Sequence, residues 1–247
     1  DVFSVSVANG SKLHRKGRVS IDGGAGHDII YSSTDAGHVT LKGGSGNDYI
    51  NVNAGNAHLD VDSGAGHDYV KAGDVGRKGV INTGDGADVV SVTTDSGAAL
   101  SINTGNGKDS VDVVRTEAED KTIGYTSIKT GAGVDTIYAN RIGSKSNLSD
   151  GVKGGLIDSG AGADNITVEK AYNLELKGIS GDNLSIHEKH NTLTDAKEYV
   201  PEDPEFFGKL PEQGDYRALF VKAVQDAMLN NADENAVKLV EKGSAVK

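Results

Sequence analysis

The sequence predicts an all-β chain built as a parallel solenoid with a small α-helical C-terminal cap. Three observations carry the solenoid. A Gly-x-Gly-x-Asp motif recurs seven times, and its first glycine (Gly24, Gly44, Gly64, Gly84, Gly105, Gly131, Gly160) advances by 20, 20, 20, 21, 26 and 29 residues. Apolar residues keep a fixed phase to that glycine. Within each unit they alternate with polar residues, the period of a strand. A period near twenty residues marks one unit of a stacked array. A β-sandwich of hairpins is the alternative, but hairpins do not require one register repeated seven times.

The first strand of each unit ends three residues before the motif glycine, at Ile21, Leu41, Val61, Ile81, Ile102, Ile128 and Ile157. The second strand carries Ile30, Ile50, Val70, Val90, Val111, Ile137 and Ile166 six residues after it. Ser32, Val52, Ala72, Val92, Val113, Ala139 and Val168 follow at eight. β-Branched residues dominate, as a pleated, half-buried surface favours. Each unit therefore reads strand, glycine turn, strand, second turn.

The start, "DVFSV", fits the second half of a unit, with Asp1 as the motif aspartate and Phe3 and Val5 inward. A start inside a coil leads us to expect a piece of a longer protein. "KGISGDNLSI" at 177–186 reads as a decayed eighth unit, with Ser180 replacing a glycine and Leu176 one place out of step. Two insertions, "RTEAEDKTIGYT" at 115–126 and "NRIGSKSNLSDGVKGG" at 140–155, fall in the second turn. The glycine turn itself is never lengthened.

The solenoid is thus expected over residues 1–186. Residues 187–214 hold all three prolines and read as a linker or wrapped loop. Residues 215–247 read as helical. Tyr216, Leu219, Phe220, Ala223, Val224, Ala227 and Met228 form one apolar stripe behind Asp215 as N-cap, and a short second helix follows Asn231. This tail would cap the open solenoid or contact another domain.

Composition narrows the partners. A net charge of −11 argues against nucleic acid. The absence of cysteine excludes disulfides and thiolate sites and suits an oxidising exterior. No apolar run is long enough to span a bilayer.

Within the motif both glycines are present every time, while the residues between them vary, so the turn is read through its backbone. The aspartate does not vary: Asp28, Asp48, Asp68, Asp88, Asp109, Asp135 and Asp164 stack in one column. Neighbouring carboxylates about 5 Å apart repel by roughly 1 kcal/mol even in water. Asparagine would accept hydrogen bonds without that cost, so the charge itself is what the column requires. A hard cation between coils would use it, and oxygen ligands select Ca²⁺. Two other readings stay open: an aspartate that caps its own loop amides, and a metal-free solenoid held by its Ile/Val ladders.

These residues resemble the RTX, or haemolysin-type, calcium-binding repeat, Gly-Gly-x-Gly-x-Asp-x-apolar-x. "GGAGHDIIY" at 23–31 and "GGSGNDYIN" at 43–51 match it fully. The other five differ only where Ser63, Thr83, Thr104, Thr130 and Ser159 replace the first glycine. The resemblance implies a right-handed parallel β-helix or β-roll of a secreted bacterial protein that folds on Ca²⁺ outside the cell. It also implies ligands: carbonyl oxygens from the second and fourth motif positions and the carboxylate from the sixth. Those are Gly24, Gly26 and Asp28; Gly44, Gly46 and Asp48; Gly64, Gly66 and Asp68; Gly84, Gly86 and Asp88; Gly105, Gly107 and Asp109; Gly131, Gly133 and Asp135; and Gly160, Gly162 and Asp164. Family coils carry the motif at both turns. Here only one turn has it, so calcium is expected along one edge, with at most one ion in each gap between stacked motifs.

Parallel β-helices also include polysaccharide lyases and epimerases. The outward residues Asp22, Lys42 and Asp62 alternate in sign and read more simply as a cross-strand charge ladder. Tyr31, Tyr49, Tyr69 and Tyr138 share a strand face that could hold sugar rings or simply pack. His27 and His67 occupy free turn positions and are expected in solvent. His38 and His58 lie twenty apart and are placed to stack. "HEKH" at 187–190 is not on a metalloprotease helix. The sequence therefore predicts a non-catalytic calcium-binding repeat segment of a secreted or cell-surface protein of adhesin or toxin type, with a glycan or host surface as candidate partner. A carbohydrate-active β-helix is the alternative.

Overall fold

The computed structural model describes residues 1–6, 17–34, 37–94, 97–116, 124–145, 153–191 and 193–194. All of them lie in the unit Asp1–Ala196. The helices expected within 215–247, and most of the loop expected at 187–214, lie outside the described residues.

Two nine-stranded parallel sheets make up nearly the whole of this unit. One contains β1 (Val2–Ser6), β3 (Ile29–Ser33), β5 (Tyr49–Asn53), β7 (Tyr69–Gly73), β9 (Val89–Thr94), β11 (Ser110–Arg115), β14 (Thr136–Ile142), β17 (Asn165–Tyr172) and β19 (Asn183–His190), in that order. The other contains β2 (Arg18–Ala25), β4 (His38–Ser45), β6 (His58–Ala65), β8 (Lys78–Asn82), β10 (Ala99–Asn103), β12 (Thr126–Lys129), β15 (Gly155–Asp158), β18 (Leu174–Lys177) and β20 (Leu193–Thr194). β13 (Ala132–Gly133) and β16 (Ala161–Gly162) pair where two glycine turns stack. Each strand pairs with its equivalent one coil away, so the chain crosses between sheets at every turn. No α-helix occurs among the described residues.

The register is the one the repeat arithmetic demands. Ile21, Leu41, Val61, Ile81, Ile102, Ile128, Ile157 and Leu176 are paired in sequence along one sheet. Phe3, Ile30, Ile50, Val70, Val90, Val111, Ile137, Ile166 and Leu184 do the same in the other. Both columns enter one apolar cluster between the sheets, with the terminal Phe3 and Leu184 partly buried. Stacking like on like lets each coil template the next, because a one-residue slip would turn every inward side chain to solvent. Where an inward column loses its side chain, at Gly79 and Gly155, neighbours take the space: a Cβ there would meet Val75 and Leu100, or Ile142.

Leu176 pairs with Ile157 and is in step within its strand. The missing residue is taken out of the turn that follows, where Gly178 adopts a left-handed φ of 69°. The parallel pairing also continues past Ile186 to His190. Glu188 and His190 pair with Lys170 and Tyr172, so polar cross-strand partners extend the strand where apolar alternation has ended.

Candidate metal centre

Every motif turn stacks directly on the next. The residue between the two glycines accepts the amide of the second glycine one coil back: Gly26 to Ser45, Gly46 to Ala65, Gly66 to Asp85, Gly86 to Asn106 and Gly107 to Ala132, at 2.8–3.1 Å. This leaves no room for side chains on the glycines. A Cβ on Gly44 would lie 1.8 Å from the Gly24 carbonyl oxygen, and one on Gly46 2.0 Å from that of Gly26. From Gly44 onward the motif glycines are therefore required by neighbour contact, and most of them by a positive φ as well.

The aspartates form one buried column. Asp28, Asp48, Asp68, Asp88, Asp109, Asp135 and Asp164 are all at most 3% exposed. Each carboxylate accepts, through Oδ1, the amide N–H of the aspartate one coil back. Asp28 donates to Asp48, Asp48 to Asp68, Asp68 to Asp88, Asp88 to Asp109, Asp109 to Asp135 and Asp135 to Asp164, at 2.8–2.9 Å. Asp164 donates in turn to Asp182, which places the decayed eighth unit in the column. At the other end the amine of Asp1 donates to Asp28 Oδ1 at 2.6 Å, the place a motif amide takes elsewhere. The aspartates thus cap amides of the preceding coil, not of their own loop.

That arrangement uses one oxygen of each carboxylate. The other, Oδ2, is buried in all seven and accepts no amide among the described residues. Loss of hydration pushes the carboxyls of Asp48, Asp68 and Asp109 up to about 6 and that of Asp88 up to about 8. Asp135 and Asp164 move the same way for the same reason, with like charge from adjacent coils adding to it. The donated amides pull back without prevailing. A buried carboxylate held this way is a poor anion unless a cation meets its free oxygen.

The first motif position controls the space beside that oxygen, a feature motif matching did not reveal. A Cβ on Gly23 would lie 2.7 Å from Asp28 Oδ2, and one on Gly43 2.3 Å from Asp48 Oδ2. In the later coils buried Ser63, Thr83, Thr104, Thr130 and Ser159 stand there, and their hydroxyls lower the pKa of the adjacent aspartate. Ser159 also donates to Asp182 Oδ2 at 2.7 Å.

His27 and His67 are exposed, as expected, yet each has a structural task. The Asn47 amide donates to His27 Nδ1 at 2.7 Å, the His67 amide to Asn47 Oδ1 at 2.9 Å and the Ala87 amide to His67 Nδ1 at 2.7 Å. A second ladder therefore runs beside the aspartates in the opposite sense, with side chains of one coil serving the amides of the next. It stops at Ala87, which carries no acceptor.

The second turns have no matching carboxylate column among the described residues. Asn53 donates to Asp74 at 2.9 Å, and Asn140 exchanges two 2.9 Å hydrogen bonds with the Arg115 backbone. The buried Arg115 guanidinium donates to the Ala98 carbonyl and to Thr126 Oγ1, a role for an insertion residue that periodicity did not reveal.

The family model for the RTX calcium-binding nonapeptide repeat (4 copies) matches residues 15–37 and 33–59. Residues 15–59 thus match RTX calcium-binding repeats. The matched RTX segments contain the two motifs with glycine at the first position. Comparison with curated proteins and with solved structures returns no match.

The motif residues fit a hard divalent cation. They offer buried oxygens and no sulfur, the donor set of Ca²⁺. No group of three His, Cys, Asp or Glu converges among the described residues, so an ion in this column would draw its remaining ligands from carbonyls. One such carbonyl, that of Gly131, already accepts the Ala161 amide at 2.7 Å and has one lone pair left.

The outward columns are simple ladders. Asp22, Lys42 and Asp62 are in register. Tyr49 and Tyr69 stack at 5.1 Å, with Tyr31 tilted against Tyr49 at 5.7 Å. Tyr138 lies further along the sheet and donates to Glu169. The stacked ring faces are spent on one another and are not presented as a platform for sugar rings.

Proposed function

We propose that the chain is a non-catalytic repeat segment of a secreted or cell-surface bacterial protein of adhesin or toxin type, and that it folds and stiffens on binding Ca²⁺. One observation supports this above the rest: seven carboxylates gather in a single buried column, and the Oδ2 of each accepts no hydrogen bond from an amide or a charged side chain among the described residues. Calcium would lie along that edge alone, at most one ion per gap between stacked motifs. Its ligands would be the Asp28, Asp48, Asp68, Asp88, Asp109, Asp135 and Asp164 carboxylates with carbonyls of Gly24, Gly26 and their equivalents up the stack. Bound calcium supplies positive charge where each carboxylate has lost its water, and so links adjacent coils. A right-handed wind and export from the cell belong to the same reading and rest on the RTX resemblance.

Asp22, Lys42 and Asp62 alternate in sign and Tyr31, Tyr49 and Tyr69 pack together, so neither column favours a lyase or epimerase.

The test is calcium stoichiometry by equilibrium dialysis, paired with melting curves in millimolar Ca²⁺ and in EGTA. Several ions per chain and a marked rise in Tm with Ca²⁺ are expected. A chain that retains no ion and melts identically in both buffers would end the reading.

A further inference from the structure

The strands that run into the glycine turns begin, at their far end, with a column of basic residues. Arg18, His38, His58 and Lys78 open β2, β4, β6 and β8 and lie in direct register. Arg18, His38 and Lys78 are exposed and His58 is half-buried. The two imidazoles stack with centroids 5.0 Å apart and planes 17° from parallel. None of the four forms an ion pair with a described residue. Arg77, beside Lys78, adds a further positive charge in sequence.

This placement runs against the chain's net charge of −11. Arg18 and Lys78 bracket the stacked imidazoles with positive charge, and the line from one to the other holds no acidic side chain, which suits an anion laid along it. Four rungs span about three strand spacings, roughly 14 Å, which is more than one small anion can bridge. The next outward residues on the same strands are Ser20, Thr40, Asp60 and Val80. Ser20 and Thr40 offer hydroxyls, Asp60 an exposed carboxylate that the ligand must pass on its far side, and none of the four offers an aromatic ring on which a nucleobase could stack.

We infer that Arg18, His38, His58 and Lys78 bind a linear acidic polysaccharide lying along the coil axis, one sulfate or carboxylate group to a rung. Arginine and lysine side chains bring a permanent positive charge, whereas a histidine adds one only on protonation. The charged groups facing the imidazoles are Arg18 and Lys78 in register, Asp60 two residues beyond His58, and Asp22, Lys42 and Asp62 at the next step outward. The column contains no RTX motif residue, so the inference stands or falls apart from the calcium reading.

The test uses the full chain with Ca²⁺ present and sulfated dextran as probe, against neutral dextran and duplex DNA, at pH 5.5 and 7.5 and across a salt series. Sulfated dextran should bind with a clear salt dependence and more tightly at pH 5.5, while neutral dextran should not bind. Arg18→Gln with Lys78→Gln should weaken binding at least roughly tenfold. His38→Asn with His58→Asn should remove the gain at pH 5.5 while changing affinity at pH 7.5 by no more than about twofold. Melting curves establish that both variants are folded. Sulfated dextran binding that folded variants leave unchanged would overturn the inference, as would equal retention of neutral dextran. Duplex DNA bound as tightly through the same residues would overturn the polysaccharide assignment.

Discussion

The Asp68 amide donates to Asp88 Oδ1 at 2.8 Å, while Oδ2 of the same carboxylate is buried with only the Thr83 hydroxyl beside it. Half of the side chain is thus committed to holding coils together and half is left for a cation. Replacement by asparagine separates the two roles, because its carbonyl oxygen can still accept the amide while the charge is gone. Asp88→Asn should stabilise the chain in EGTA by about 1–3 kcal/mol and reduce the further gain from Ca²⁺. Parallel melts of the two proteins in EGTA and in Ca²⁺ read both effects, and a variant that gains as much from Ca²⁺ as the parent would count against the column as the binding edge.

The raised carboxyls give the metal-free chain an unusual pH profile. Asp48, Asp68 and Asp109 titrate at about 6 and Asp88 at about 8 in the fold, against about 3.9 in an unfolded chain. The folded state therefore holds extra protons between roughly pH 4 and 8, and stability falls as pH rises through that window. A two-unit gap corresponds to about 3 kcal/mol per group. In EGTA, Tm should drop from pH 5 to pH 8.5; with millimolar Ca²⁺, which favours the carboxylate form, the drop should vanish or reverse. A flat profile in EGTA would contradict burial of the column.

Two glycines at the same motif position separate backbone strain from contact between coils. Gly26 and Gly46 have similar φ values, 113° and 121°. A Cβ on Gly26 meets nothing within 4 Å, whereas one on Gly46 lies 2.0 Å from the Gly26 carbonyl oxygen. Gly26→Ala should cost about 1–2 kcal/mol, the strain of a left-handed alanine. Gly46→Ala should cost several kcal/mol, since two stacked turns must separate. Denaturant melts of both variants give the comparison, and equal losses would show that contact between turns is not limiting.

The second ladder can be tested at His67. His67→Ala leaves the Ala87 amide without its acceptor and should cost about 1 kcal/mol. His67→Asn should be tolerated, because Asn47 already serves as acceptor in the adjoining rung. If alanine and asparagine are equally stable, solvent replaces that hydrogen bond at no cost.

Much of the fold was legible because its information is periodic. Ile21, Leu41, Val61 and Ile81 occur at equal intervals, and pairing like with like is the one register that buries them all. The glycine turns were legible for a related reason, as a backbone stacked on its own copy excludes any Cβ. The Oδ2 atoms that accept no amide were not visible, because which oxygen meets a neighbouring amide depends on the exact offset of adjacent coils. The same is true of His27 and His67, whose acceptor role requires an amide from the coil above.

By itself the sequence determined the seven motif turns, the inward columns and the edge on which the aspartates gather, since each follows from spacing along one chain. Only the tertiary structure decided how far each carboxylate is buried, that one oxygen of every pair is left over, and that four basic residues from four strands share a line. Those features arise between coils, where hydration is lost and atoms twenty residues apart come within hydrogen-bonding distance, and no local pattern encodes them.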